Sequence, residues 1–174
     1  MNDDKAAASA RTDHVAMARL RHELAHPPFH SVLRPEAINA SLDGQVTILL
    51  PYQPVFGRAA DSGNVHGGVL AALIDLSAHA AVAVQTGRMA PTVDLRIDYL
   101  LAAPAADLIA RARTLRVGRN LARADVEIMA AAGGPVIAVG RGTFSTFVVP
   151  SPVGDSSKPD SSQPDSSQPD SSKD

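Results

Sequence analysis

HGGVLAALIDLSAHAAVAVQ, residues 66–85, decides how the rest of the chain must be arranged. From Leu70 to Val84, twelve of fifteen residues are apolar, and the exceptions are Asp75, Ser77 and His79. A helix that is apolar all round is a buried helix. Thr86-Gly87 closes it, with glycine just past the last helical residue. Asp75 is the only Asp, Glu, Lys or Arg between Asp61 and Arg88. Burying an ionised carboxylate costs several kcal/mol unless it is paired. Its place midway along the most apolar segment therefore needs a reason.

Downstream of this helix the periodicity changes to that of strands. Over Thr92 to Leu100, Val93, Leu95, Ile97 and Tyr99 share one face, and Asp94, Arg96 and Asp98 the other. Strand patterns return over Leu108–Val117, Leu121–Ala131 and Val136–Val149, separated by Gly118-Arg119-Asn120 and Gly133-Gly134. Upstream, residues 31–51 carry strand signals, with Asp43-Gly44 as a hairpin turn before Gln45–Leu50. One long buried helix among five to six antiparallel strands is an α+β plan with the sheet wrapped round the helix.

The flanks are different. Residues 1–28 read as a disordered start and a short helix capped near Thr12 or Asp13, with Met17, Leu20 and Leu24 as its stripe. Pro27-Pro28 stops that helix. The folded domain is expected over residues 29–150. Residues 151–174 read SPVG and then, from Asp155, a five-residue repeat of Asp, Ser and Pro; the tail has net charge −3, and such a composition buries too little surface to order itself.

Composition excludes several classes. Cys is absent, which removes disulfides, thiol nucleophiles and Cys metal sites and suits a cytoplasmic setting. A net charge of −2 gives no case for nucleic acid or an anionic membrane. The acidic start MNDDKAAASA lacks a signal-peptide core, and the Leu70 run is too short for a typical span of about 20 residues. The histidines at 14, 22, 26 and 30 follow no metal-ligand spacing.

The central stretch allows one kind of chemistry. Gly67 and Gly68 open the helix, so their N–H groups are among its unsatisfied donors and the helix dipole reinforces them. Such donors suit a carbonyl oxygen that gains negative charge. Asp75 supplies a carboxylate, as nucleophile or as general base. Eight residues of α-helix separate Gly67 from Asp75, a rise of about 12 Å. One carbonyl carbon cannot reach both on a straight helix. If both act on one substrate they come from two chains, related by a two-fold axis.

VHGGVLAALIDLSAHAAVA, followed by PTVDLRIDYLLAAP, VGR and the closing GRGTF, resembles the hotdog-fold acyl-CoA thioesterases of the phenylacetate-degradation (PaaI-like) type. The resemblance covers about Phe29 to Val149. It implies a sheet wrapped round the central helix, dimers that often pair into tetramers, no metal or cofactor, and hydrolysis of an acyl-CoA at the dimer interface. It implies that Gly67 donates to the thioester carbonyl, that Asp75 is nucleophile or base, and that Thr92 orients the attacking water. It also implies that the Arg119-Asn120 turn meets the CoA phosphates. His66 and Gly68 frame the helix entry, with His66 in a structural role. Many relatives carry Asn where this chain has Ala60, and Asn64 and Ser62 lie nearby. The alternative is an acyl-CoA-binding or structural dimer without hydrolysis. A third option, a dehydratase pairing His79 with Asp75, has no further signature.

Overall fold

The computed structural model describes residues 2–59 and 63–147, with side chains from Thr12 onward. Ala60, Ser62 and the repeat of residues 151–174 lie outside the described residues. The chain forms α1 (Asn2–Ala25), α2 (His30–Leu33), β1 (Glu36–Ser41), β2 (Gln45–Leu50), a 3-10 turn at Pro54–Phe56, α3 (Gly67–Thr86), β3 (Thr92–Tyr99), β4 (Leu108–Val117), β5 (Leu121–Ala130) and β6 (Ala138–Ser145).

The six strands make one antiparallel sheet in the order β1-β2-β4-β5-β6-β3. Alternate residues of its inner face are buried: Val46 and Ile48 on β2, Ala110 and Ala112 on β4, Val126 and Ile128 on β5, Ala138 and Phe144 on β6. They close on α3, which touches all six strands. By length and composition α3 would also cross a membrane, but 61% of its apolar window is already buried inside this sheet. Aromatic residues make up only 3% of the chain, so close approach fills the core in place of bulk. The clearest case is β6. A Cβ at Gly140 would stand 2.3 Å from Ile74 Cγ2, so glycine there lets helix and strand meet at backbone distance.

Both ends of α3 stand where the sequence puts them. Gly87 caps the C-terminus at φ 71°, with its N–H on the Ala83 carbonyl. Arg19 of α1 adds a cation there, donating to the Val84 carbonyl at 2.7 Å. The Asp43-Gly44 turn joins β1 and β2 with Gly44 at φ 85°.

Three features differ from the sequence expectations. Helix α1 begins at Asn2, ten or more residues before Thr12 or Asp13. Its first turns include the run Ala6-Ala7-Ala8-Ser9-Ala10, and alanine is the best helix former. The closing strand spans Ala138–Ser145, shorter than Val136–Val149, and Val149 lies outside the described residues. β3 does not bury a whole apolar face. Leu95 and Ile97 are half-buried, whereas Val93 and Tyr99 are 60% and 54% exposed. The cause is topological. β3 follows α3 directly but sits at the sheet's far edge, bonded only to β6.

Candidate active site

The first cluster sits at the start of α3. His66 is the N-cap residue, in an extended conformation at φ −67° and ψ 136°. Its Nδ1 accepts the Gly68 N–H at 2.9 Å, and its carbonyl accepts the Val69 N–H at 2.9 Å. Gly68 is therefore not the open donor that a glycine pair leads one to expect, because the capping ring takes its hydrogen. Gly67 remains: among the described residues its N–H has no acceptor. Tyr99, at the end of β3, donates its hydroxyl to the Gly67 carbonyl at 3.2 Å. Its ring lies 3.5 Å from where a Gly67 Cβ would stand.

The second cluster lies two turns along the same helix. Asp75 is half-buried, and its Oδ1 accepts the Thr92 hydroxyl at 2.9 Å. One turn further, His79 faces the loop before β3. Its Nε2 accepts the Ala90 N–H at 3.4 Å, and its Nδ1 stands 3.8 Å from Glu23 Oε2 of α1. Burial holds His79 below its ordinary pKa, against the raising effect of Glu23 and Asp75.

β3 connects the two clusters, running from Thr92 beside Asp75 to Tyr99 beside Gly67. The fold thus brings Asp75 and Thr92 together and keeps Gly67 apart from them on the same helix. The Arg119-Asn120 turn belongs to the Thr92 end of the sheet. Asn120 accepts the Thr146 N–H at 2.9 Å, and Ser145 donates its N–H to Pro91 at 2.8 Å, next to Thr92. The Arg119 side chain is exposed there. Asn64 belongs to the other end, in the loop entering α3, where its carbonyl accepts the Arg58 N–H at 2.9 Å.

Two features of the site were not read from the sequence. Tyr99 reads as one more apolar strand residue, and nothing local links it to a glycine 32 positions earlier. The other is an apolar groove of about 360 Å³ beside His66 and Gly68, lined by Phe29, Val32, Val55, Phe56, Val69 and Ala72 among others. Its walls come from three separate segments, so no single stretch announces it. A larger recess of about 810 Å³ lies on the sheet's outer face among Arg111, Arg123, Asp125 and Arg141. It includes neither Gly67 nor Asp75 nor Thr92.

Comparison with known proteins points one way. The family model of the thioesterase superfamily matches residues 62–137. A Halobacterium salinarum protein named as a candidate esterase is 32% identical over 121 residues, which are 64% of this chain and 80% of that protein. Human acyl-coenzyme A thioesterase 13 is 35% identical over 83 residues, which are 47% of this chain and 59% of the human protein. Among solved structures, the phenylacetic acid degradation-related protein of Ralstonia eutropha, a candidate thioesterase, is similar with a TM-score of 0.63 and 26% identity. That match covers 72% of this chain and 95% of the other.

Proposed function

Because this chain belongs to the thioesterase superfamily and is a thioester hydrolase, we propose that it cleaves acyl-coenzyme A at a site shared by two copies, with Asp75 and Thr92 of one chain facing Gly67 of the other. The observation that carries this is the pair of hydrogen bonds at the two ends of β3. Thr92 bonds Asp75 and Tyr99 bonds the Gly67 carbonyl, and β3 is an edge strand. An unpaired edge is a template for a second strand. Two β3 edges meeting antiparallel about a two-fold axis near the middle of the strand bring the Thr92 end of one toward the Tyr99 end of the other. Each such dimer has two sites. The separation of about 12 Å that defeats one chain is then bridged between two.

The chemistry follows from the parts. The thioester oxygen accepts the Gly67 N–H at a helix N-terminus, where the dipole favours the negative charge it gains. The Thr92 hydroxyl fixes one oxygen of Asp75. The other oxygen takes a proton from water as the water attacks the carbonyl carbon. The tetrahedral intermediate then expels the CoA thiolate, which takes that proton from Asp75 and leaves as the thiol, with a free carboxylic acid as the other product. The groove beside Gly68 suits an apolar acyl group, and the exposed Arg119 stands at the Asp75 end for the CoA phosphates. The domain responsible spans residues 29–150 with α1 docked on it through Arg19, and its setting is the cytoplasm.

A mixing experiment tests the shared site. Asp75→Asn removes the base. Gly67→Pro removes the donor, and proline is tolerated at the first helical position, all the more because His66 is already extended. Each variant alone loses turnover, by about a hundredfold or more for the donor. An equimolar exchange of the two rebuilds one intact site in each mixed dimer, so about a quarter of wild-type turnover returns. If mixing restores nothing, Asp75 and Gly67 do not act across an interface.

A further inference from the structure

We infer that His79, oriented by Glu23, is a positioning residue that sets Thr92 on Asp75 through the segment Ala90-Pro91-Thr92. It rests on Asp75 being the catalytic carboxylate, and it concerns groups that the proposed reaction does not use.

At the beginning of β3 the ladder with β6 is irregular: Thr92 stands opposite Phe144, and the register then shifts before Asp94 meets Thr143. Strand pairing alone therefore fixes Thr92 weakly. The residues before it do more. Ala90 is buried, and its N–H donates to His79 Nε2 at 3.4 Å. Pro91 links Ala90 to Thr92 with a fixed φ. The Thr92 hydroxyl then reaches Asp75 at 2.9 Å. Asp75 and His79 are four residues apart, on one face of α3. The helix thus grips three consecutive residues at two points one turn apart, and one point is the carboxylate itself.

The ring must present a lone pair to Ala90, so the neutral tautomer with its proton on Nδ1 is required. Glu23 lies on that side, at 3.8 Å, with both side chains less than one-fifth exposed. Arg19, one turn earlier on α1, holds that helix to the Val84 carbonyl, so Glu23 sits on a docked element. The charged and titratable groups facing His79 are Glu23 from α1, Asp75 from α3 and His30 from α2. Phe144, the strand partner of Thr92, closes the far side of the ring, with centroids 6.2 Å apart. Burial favours the neutral imidazole that the grip needs.

Steady-state hydrolysis of an acyl-CoA by the full chain tests this, with His79→Leu, His79→Gln, Glu23→Gln and Asp75→Asn measured side by side. His79→Leu keeps the bulk and loses the acceptor. It lowers kcat about tenfold with KM unchanged, as expected for misplacement near a reacting group. His79→Gln restores an acceptor and recovers most of that loss. Glu23→Gln lowers kcat in the same direction, and because Glu23 raises the His79 pKa, any acid limb that His79 sets moves to lower pH. Ring packing alone predicts the reverse order, with leucine tolerated better than glutamine. Wild-type kcat in both His79→Leu and Glu23→Gln, with Asp75→Asn inactive, overturns the positioning role and leaves the catalytic assignment standing. An active Asp75→Asn overturns the catalytic assignment first.

Discussion

At the residue scale, the site is built from hydrogens already committed elsewhere. Two glycines open α3, but the His66 ring takes the Gly68 N–H, so among the described residues Gly67 carries the open donor. Asp75 was legible because it stands alone in a long apolar run, and a solitary charge in such a run calls for a function. The Gly67–Tyr99 bond was not legible, because a strand residue and a helix start meet only through the fold. His79 gives a pH dependence whose sign follows from burial. Its folded pKa lies below the ordinary value, so near pH 6.5 the unfolded chain binds more protons than the folded one. Stability then rises with pH through that range, and is lost as pH falls from about 6.5 toward the depressed value. Urea midpoints recorded across this range should show the slope in the wild type and a smaller one in His79→Gln.

Elements show where sequence patterns stop being informative. The bounds of α3 follow from glycines at both ends and a long, mostly apolar run between them, so the helix was readable to within a residue. The place of β3 was not. Alternation gives a strand two faces but says nothing of its neighbours, and here the strand after the helix crosses to the sheet's far edge. For the same reason Val93 and Tyr99 look like core residues and are exposed. Within α3, Ser77 is fully buried and its hydroxyl has no hydrogen-bond partner among the described residues. An unpaired buried hydroxyl is a net cost. Ser77→Ala should therefore raise the unfolding free energy, by about 1 kcal/mol in chemical denaturation. A loss of stability in that variant would mean that the hydroxyl is paired in solution.

For the whole molecule, specificity and assembly belong together. The apolar groove runs from the α2 region to Val69 and Ala72, beside the glycine that binds the thioester oxygen in the proposed reaction. Ala72→Phe narrows it. Long aliphatic acyl-CoA substrates should then lose kcat/KM about tenfold or more while acetyl-CoA changes little, since a hydrophobic pocket discriminates by roughly 1–3 kcal/mol per methylene. Equal losses for all chain lengths would remove the groove from the substrate path. The separation of Gly67 from Asp75 along one helix has a kinetic consequence as well. In the proposed shared site a single copy holds both halves and cannot use them together, so dilution should turn the enzyme off without unfolding it. Under mass action the initial rate rises as the square of chain concentration when single copies predominate, and becomes linear once pairing is complete. The concentration at which that slope changes measures how tightly two copies hold each other.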